Sequence, residues 1–374
     1  MLKKILPFTA MAAALWLNLS CSSQTPTADT QTTVSGDSAF TLVYQASREG
    51  GMDPCGCHTT PYGGLDREFN ALQKLRGSAK RVIYADAGNL LVAPASKNKV
   101  AVLQAHAAAL VPMMNEVALD IFAPGPADYR LGIDFLKKLA QEAKFKFVST
   151  NVVDAKGATV FSAFEIVERD GVKVAFVSVT PAGTKLDKGY SVTDPKKALA
   201  KALAEIGDKA STVVVLSQVG NYAKEQKMAA AFPGAIWVGD DGKLVLDRGM
   251  PQGTNLMLDA HRYGYFLPTL TVAVKQPIKG YFSKQLIEEN NKIYASLEKA
   301  AQNQVDAKRI ATLKERAAAF KAAQILAPQE GGSEYHNEFI ALDEKNYGAP
   351  NKVREMIAAE KERIRKAAID KGAR

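Results

Sequence analysis

Residues 40–90 contain a strand, a loop, a helix and a second strand, in that order. Residues 40–44 form a short apolar run, and apolar side chains recur at helical spacing after Gly63 and Gly64. A second apolar run covers residues 81–85. This order is typical of a βαβ unit, in which ligands bind beyond the carboxyl ends of the strands. The stretch therefore predicts a helix-covered sheet with a candidate site at one edge.

The loop of this unit contains two of the three cysteines of the chain, within Asp-Pro-Cys-Gly-Cys-His at residues 53–58. Two cysteines one residue apart can close only a small, strained ring, which is easily reduced. The helix that follows favours a thiolate near its N-terminus, and Arg48 and Arg67 are close enough in sequence to add to this effect. We therefore predict that Cys55 and Cys57 are catalytic residues with redox chemistry.

Two other interpretations of the loop stay open. Cys55, Cys57 and His58 offer soft ligands for one zinc or monovalent copper ion. Alternatively, the two cysteines form a structural staple that only closes the loop. Haem attachment does not fit, because Cys-Gly-Cys-His is one residue shorter than the C-x-x-C-H pattern.

The first residues of the chain predict export. Lys3 and Lys4 precede an apolar run at residues 5–19, whose length and flanks are typical of a secretory signal and not of a transmembrane span. Residues 17–21, Leu-Asn-Leu-Ser-Cys, resemble a bacterial lipobox, although Asn18 stands where an apolar residue is usual. We predict a lipoprotein signal peptide at 1–20, lipidation of Cys21 and a flexible polar tether at 21–38. Ordinary signal cleavage is the alternative.

The predicted location is the cell envelope of a bacterium. Ser22 resembles the residue that directs lipoproteins to the outer membrane, so we expect a periplasm-facing outer-membrane lipoprotein bound to the membrane through its N-terminal lipid. The formal charge of +9 falls to +7 when Lys3 and Lys4 are removed, and the basic residues are interleaved with acidic ones. This pattern predicts no nucleic-acid partner.

Helical segments alternate with buried strands between residues 98 and 274, which favours a layered α/β fold. We predict one domain at 39–276 and a helical C-terminal extension at 277–374. The extension carries a heptad-like apolar seam that can pack on the body or on a protein partner, at Ile310, Leu313, Ala317 and Phe320.

A series of short motifs resembles the calcineurin-like metallophosphoesterases, in particular the N-terminal domain of 5'-nucleotidases. Residues 86–89, Asp-Ala-Gly-Asn, resemble Asp-Ala-Gly-Asp, and residues 123–129 resemble the Gly-Asn-His-Glu-Phe-Asp-Tyr loop. Residues 149–151 and 215–218 resemble Ser-Ala-Asn and Val-Leu-Ser-His. The resemblance extends from about Phe40 to Val274, and it implies a four-layer α/β sandwich with a helical C-terminal appendage.

The resemblance also implies a cleft that holds two divalent cations, which generate a hydroxide and bind the phosphoryl oxygens. Other residue types stand at the ligand positions of that family, namely Ser47, Glu49, Asn89, Pro126, Ala127, Gln218, Asp241 and Lys243. We therefore expect that the dinuclear centre is lost. The cleft candidates carried over from the family are Asp86, Asn89, Asp128, Asn151, Gln218, Asp241 and His261.

Residues 53–65 resemble an exported bacterial branch of this superfamily, which has Cys-Gly-Cys before Asn-Pro-x-Gly-Gly-Leu and in some members selenocysteine. A position open to selenocysteine implies thiol or selenol chemistry. We expect an exported lipoprotein with a 5'-nucleotidase-like fold that acts through its cysteine loop. Two alternatives remain: a metal-dependent phosphoesterase with a rebuilt site, and a non-catalytic scaffold that binds a partner through its helical tail.

Overall fold

The computed structural model describes residues 34–57, 59–241, 247–303, 306, 309–312, 314–315 and 331–372. These residues fall within one compact unit, Val34–Arg374. Several predictions lie outside the described residues: the signal peptide, Cys21, the tether up to residue 33, His58, Lys243, and Leu313, Ala317 and Phe320 of the apolar seam.

Strands and helices alternate over much of the described chain. The strands are β1 Ala39–Gln45, β2 Val82–Asp86, β3 Ile121–Phe122, β4 Lys146–Phe147, β5 Val152–Asp154, β6 Glu165–Arg169, β7 Val172–Val179, β8 Tyr190–Val192, β9 Thr212–Ser217, β10 Ile236–Gly239, β11 Met250–Gln252, β12 Asn255–Asp259, β13 Phe266–Ala273, β14 Tyr281–Phe282 and β15 Ser333–Ala341. The helices are α1 Leu65–Ser78, α2 Val100–Glu116, α3 Ile133–Glu142, α4 Pro195–Ile206, α5 Tyr222–Ala229, α6 Lys284–Gln302, α7 Glu344–Tyr347 and α8 Lys352–Gly372. Single 3-10 turns cover Asp128–Leu131 and Arg262–Gly264.

Two sheets form the centre of the molecule. The first has the strand order β14-β15-β13-β1-β2-β3-β4, and the second has the order β11-β12-β10-β9-β7-β6. In the first sheet, β1 to β4 are parallel, and in the second sheet β7, β9, β10 and β12 are parallel. Parallel strands bring their carboxyl ends to one edge, so the loops after β1, β2, β9 and β10 lie where ligands bind in such folds. A separate ribbon pairs β5 with β8.

Three apolar clusters separate the layers. One fills the space between the two sheets, with Phe40 and Leu42 of β1 facing Phe176 of β7. A second packs α1, α2, α3 and α8 on the outer face of the first sheet, and a third packs α4 and α5 on the second sheet. Strands buried on both faces need continuous apolar runs, as in Val-Val-Val-Leu of β9. The prediction of a four-layer α/β sandwich is confirmed.

The C-terminal segment does more than extend the body with helices. Strand β15 pairs antiparallel with β13 along its whole length, for example at Thr271 and His336, and β14 pairs with β15. The first sheet therefore contains two strands, β14 and β15, that come from the predicted extension at 277–374. At the other end, Val34 is buried and the Ser38 hydroxyl donates to the carbonyl of Val274 at 2.7 Å. The last residues of the predicted tether thus pack on the body.

A helix that spans a membrane must be both long and apolar. Within the part of the chain that the structure describes, no helix is both long and apolar enough to cross a membrane.

Candidate functional site

The loops after β1 and β2 carry the candidate site, and they contain unusual backbone. Ser47 and Glu49 follow β1 with φ of 50° and 61°, and Asn89 follows β2 with φ of 51°. Residues other than glycine rarely adopt this left-handed conformation, and it costs free energy that the surrounding structure must offset. Tyr263 faces them with φ of 66°, and its N–H donates to the Ser47 carbonyl at 2.9 Å. Four of the seven non-glycine residues that have positive φ in the described structure therefore lie at this edge of the sheets.

Asn89 and Gln218 bring the two sheets together at the cleft. The Asn89 amide nitrogen donates to Gln218 Oε1 at 2.8 Å, and its amide oxygen accepts the Ala127 N–H at 2.9 Å. Gln218 Nε2 donates to the Ala87 carbonyl, and Ser47 Oγ lies 3.5 Å from the Asn89 amide nitrogen. Four of the positions named from the family resemblance therefore lie together, joined by neutral hydrogen bonds.

Asp86 and Asp128 are completely buried behind these amides. Asp86 Oδ1 accepts the Gly88 N–H, and Asp128 accepts the N–H groups of Leu91 and Gly125, each at 2.8 Å. Burial raises the pKa of Asp86 to about 7 and that of Asp128 to about 6. Both carboxyl groups hold turns, while Asp86 Oδ2 is buried without a hydrogen-bond partner in the described structure.

Asn151 and His261 are held by interactions of their own. The Asn151 amide exchanges hydrogen bonds with the backbone of Thr180, at 2.8 and 2.9 Å, so it fixes the loop after β7. His261 packs edge-on against Phe266, with ring centroids 4.8 Å apart, and its Nδ1 lies 3.0 Å from the Arg262 carbonyl. Asn151 and His261 are thus tied to backbone and aromatic neighbours, and the described contacts do not join them to the Asn89 network.

The cysteine loop is closed by backbone hydrogen bonds and not by a cross-link. The Cys55 N–H donates to the Tyr62 carbonyl at 2.8 Å, and the Tyr62 N–H donates to Cys55 Sγ at 3.2 Å. Cys55 and Cys57 are free thiols, Cys55 half-buried and Cys57 exposed. Gly63 closes the loop against Gly264 and Tyr265, where a Cβ atom would lie 2.9 Å from the Gly264 carbonyl.

The two thiols differ in acidity. Burial by itself would raise the pKa of Cys55, but hydrogen bonds from Cys57 and from the Tyr62 N–H, together with the charge of Arg67, lower it overall. The hydrogen bond to Cys55 and its negative charge raise the pKa of Cys57. Two thiols whose pKa values move apart are suited to different roles, with Cys55 as the nucleophile.

The structure identifies the groups that act on the Cys55 thiol, and Arg48, which was predicted to contribute, is not among them. The hydrogen bond to Cys55 comes from Tyr62 within the loop, and α1 begins later, with its Leu65 N–H donating to Met52. Arg48 does not act on Cys55, because it is buried in an ion pair with Glu68. Arg67 does act on Cys55 as expected, and its Nε and Nη2 both lie 2.9 Å from Glu344 Oε2.

Tyr265 joins the cysteine loop to the cleft. Burial raises its pKa, and the charges of Cys55, Tyr263, Cys57 and Glu49 raise it further. The ring of Tyr263 lies 5.4 Å from that of Tyr265 and is 42% exposed, an unusual exposure for a large side chain. Tyr263, which packs on Tyr265, in turn donates its N–H to Ser47, so this tyrosine pair connects Tyr265 to the loop that carries Ser47.

A group of carboxylates lies at the ends of β10 and β12. Asp259 Oδ2 accepts the Asp241 N–H at 3.1 Å, and Glu225 Oε1 accepts the Ser217 hydroxyl at 2.7 Å. Burial, reinforced by the neighbouring carboxylates, raises the pKa of Glu225 to about 7 and that of Asp259 to about 8. Arg262 pairs with Asp240 at 2.9 Å, and the described residues place no other cation on this group.

The raised carboxyl pKa values predict a stability that falls as the pH rises. Between the unfolded pKa values near 4 and the folded values of about 7 to 8, the folded state binds more protons, so the stabilisation is complete below pH 4 and is lost toward pH 8. Asp259→Asn and Glu225→Gln should raise the thermal midpoint more at pH 8 than at pH 5, whereas exposed Glu168→Gln should not. Parallel pH profiles of wild type and variants would contradict the assigned protonation.

Sequence and structural similarity to known proteins agrees with the family resemblance of the motifs. No family model matches the sequence. The 5'-nucleotidase of Vibrio vulnificus is 27% identical over 132 residues, which cover 33% of this chain and 24% of that protein. The solved 5'-nucleotidase precursor of Thermus thermophilus has a TM-score of 0.62 at 18% identity, over 87% of this chain and 59% of that one.

A calcineurin-like phosphoesterase of Bacillus subtilis has a TM-score of 0.58 at 13% identity, over 87% of this chain and 97% of that one. The chain therefore has the fold of the calcineurin-like phosphoesterase superfamily, as its motifs predicted. Within that superfamily, the curated proteins that it matches are 5'-nucleotidases, and the match covers about a quarter of their length. The relation to a Cys-Gly-Cys branch stays a prediction.

Sequence reasoning missed several residues around the thiols. Tyr62 and Glu344 were not considered, although Tyr62 donates to Cys55 and Glu344 pairs with Arg67. Tyr265 lies four residues after His261, which the family resemblance had named as a cleft candidate. Glu225 in α5 and Asp259 at the end of β12 carried no signal, because a carboxylate on a helix or at a strand end is usually an exposed residue.

Proposed function

We propose that this protein is an exported thiol-disulfide redox protein with a phosphoesterase-like body, and that Cys55 and Cys57 carry its chemistry. The observation that supports this most directly is the asymmetry of the two thiols. Cys55 accepts the Tyr62 N–H at 3.2 Å and has a lowered pKa, while exposed Cys57 has a raised one. A nucleophile and a resolving thiol differ in this way.

The exchange needs a disulfide of a partner molecule as the oxidant. The Cys55 thiolate attacks one sulfur of that disulfide, forming a mixed disulfide and releasing the other sulfur as a thiolate. Cys57 then loses its proton and attacks Cys55 Sγ, which forms the Cys55–Cys57 disulfide and releases the second partner sulfur. Two electrons pass from the loop to the partner. The reverse sequence oxidises a partner dithiol.

The residues at the metal positions of the family do not fit a pair of divalent cations. Both ends of the Asn89 and Gln218 amides are already used in neutral hydrogen bonds. Within the described ranges there is no group of three or more His, Cys, Asp or Glu side chains that could hold a metal ion. The thiol exchange therefore needs no dinuclear centre, and the role of the cleft beside the thiols is to bind the partner.

Metal analysis with thiol titration, before and after reduction, tests this function. In the purified mature protein, with Cys21 lipidated, we expect no stoichiometric metal and two titratable thiols after reduction. Cys55→Ser and Cys57→Ser should remove these thiols one at a time, while the thermal midpoint stays nearly unchanged. A staple of so few residues gives little entropic stabilisation. One zinc or copper per chain would favour a metal loop. Two metals with chelator-sensitive hydrolysis of a nucleotide would favour the phosphoesterase and contradict the proposal.

Membrane anchoring through Cys21 is a separate proposal. It is supported by the lipobox-like residues 17–21, which follow an apolar run of signal length. We expect Cys21→Ala to move the protein from the membrane fraction to a soluble or unprocessed form. Cell fractionation with immunoblotting measures this change. Ser23→Thr is a matched control that lies outside residues 17–21 and keeps the cysteine. Unchanged membrane association of the Cys21→Ala variant would show that another element anchors the protein.

A further inference from the structure

A second concave site lies at the opposite edge of the sheets from the cysteine loop. It is a cavity of about 240 Å³ at the amino ends of β2 and β3 and at the β6–β7 turn. Elements of both sheets line it, since Asp120 precedes β3 in the first sheet and Arg169 ends β6 in the second. Nothing in the proposed thiol chemistry uses this cavity.

Three arginines converge on this cavity. Arg76, near the end of α1, is fixed there because its Nη1 and Nη2 donate to the carbonyls of Val117 and Ala118, each at 2.9 Å. Arg81 Nη1 donates to the Ala39 carbonyl at 3.0 Å, and its Nε is buried without a hydrogen-bond partner in the described structure. One buried guanidinium N–H of an arginine that lines the cavity therefore has no acceptor in the described structure.

The acidic residues of the cavity do not balance these cations. Asp120 and Asp170 are the carboxylates that line it, against Arg76, Arg81 and Arg169, which leaves one positive charge in excess. Asp120 is already occupied, because Oδ1 accepts from Arg169 at 2.5 Å and Oδ2 accepts the Tyr84 N–H at 2.9 Å. An anion would supply the missing acceptor and the missing charge.

Arg76 shows the cost of this imbalance. Burial lowers its pKa, and although Asp120 and Tyr84 offset part of this effect, Arg169 lowers the pKa further. The backbone around the cavity is also unusual, since Arg81, Ala118 and Asp170 all have positive φ, at 51°, 54° and 46°. Asp170 with Gly171 makes the tight turn of a hairpin, but Ala118 and Arg81 hold the left-handed form without glycine's freedom.

We propose that this cavity binds a small tetrahedral oxyanion, a phosphate group, between the two sheets. The planar fork of a guanidinium matches phosphate oxygens and donates two parallel hydrogen bonds. Arg81 and Arg169 approach from different sheets and contact the anion, and Arg76 adds charge from behind. The bound group links the sheets at the edge opposite the thiols. The same chemistry is offered by free phosphate and by the headgroup of a phospholipid.

Isothermal titration of the full chain at constant ionic strength tests this site, with inorganic phosphate and glycerol 3-phosphate as separate titrants. We expect one saturable phosphate per chain, weakened at least about tenfold in Arg81→Met and in Arg169→Met, since each removes charge-assisted hydrogen bonds. Tighter binding of glycerol 3-phosphate would assign the cavity to a headgroup-like phosphomonoester, and tighter binding of inorganic phosphate would assign it to the free ion.

Arg365→Met is the matched control, because Arg365 is an exposed arginine of α8 that pairs only with Glu362 in the described structure. It removes the same charge and should leave phosphate affinity unchanged. Arg169→Met leaves Asp120 without its cation and can destabilise the fold. Arg81→Met is the second variant, because it breaks only one hydrogen bond to the backbone and keeps the apolar stem of the side chain. Absence of saturable binding by both titrants, or equal affinities in wild type and Arg81→Met, would overturn the proposal.

Discussion

Replacement of Arg67 by Met will raise the pKa of the Cys55 thiol and slow its alkylation at neutral pH, whereas replacement of Glu344 by Gln will lower that pKa and speed the reaction. Burial opposes the Cys55 thiolate, and it is outweighed by hydrogen bonds from Cys57 and Tyr62 and by the charge of Arg67. Glu344 lies 2.9 Å from Arg67 and compensates part of that charge. Alkylation of Cys55 in the reduced protein, followed by mass spectrometry across a range of pH, gives its pKa and its reaction rate at neutral pH.

The opposite signs separate electrostatics from loosening of the loop. Both substitutions break the same ion pair, so a merely structural effect would change Cys55 reactivity in the same direction in both variants. Arg67 also donates to the carbonyls of Pro61 and Leu342, at 2.6 and 3.3 Å, which makes this control necessary. Cys57→Ala removes a further hydrogen bond and should raise the Cys55 pKa as well. Equal shifts of the Cys55 pKa in Arg67→Met and Glu344→Gln would show that the charge of Arg67 does not set the acidity of this thiol.

The position of the site was predictable because a general rule connects chain order to geometry. Parallel strands place their following loops at one edge, so the cysteine loop and Asn89 had to lie on the same side of the first sheet. Gln218 follows β9 of the second sheet and meets Asn89 at 2.8 Å, as the order of the family-like motifs suggested. Apolar runs and turn residues were enough for these conclusions.

The C-terminal contribution could not be read from local patterns. Strand β15 pairs with β13 although β13 ends at Ala273 and β15 begins only at Ser333, and the period of its side chains does not identify the partner strand. Gly63 donates to the Leu342 carbonyl at 2.9 Å just after β15, and Asp53 pairs with Lys361 of α8 at 2.5 Å. The segment predicted as an extension therefore holds the cysteine loop, an arrangement that only the folded chain makes visible.

Burial of charge was equally hidden in the sequence. Arg48 lies in a loop and Glu68 in a helix, where charged side chains are usually exposed, yet their side chains are 1% and 0% exposed. Tyr84 donates its hydroxyl to Glu68 Oε1 at 2.6 Å, and Asp86 lies near the same group. Gly264 has φ of 63°, and its missing side chain leaves room for the Arg48 guanidinium. A polar residue type alone does not reveal such an enclosed network.

Breaking this pair should produce the largest loss of stability of any substitution at the site. In Glu68→Leu the Arg48 guanidinium stays buried without its anionic partner, and in Arg48→Met the carboxylates of Glu68 and Asp86 lose their cation. Removal of one member of a buried ion pair costs about 3–5 kcal/mol, because the remaining charge is left uncompensated. Urea unfolding at pH 7, followed by circular dichroism, measures the free energy of each variant.

The double variant Arg48→Met with Glu68→Leu decides whether uncompensated charge is the cause. It removes both charges and fills the space with apolar atoms, so it should be more stable than either single variant, as expected for groups that interact directly. Glu168→Gln is the control, since Glu168 and Lys173 form an exposed pair, 56% and 49% accessible, whose loss costs at most about 1 kcal/mol. Additive losses in the double variant, or single losses no greater than that of Glu168→Gln, would show that the pair does not stabilise the loops that carry the site.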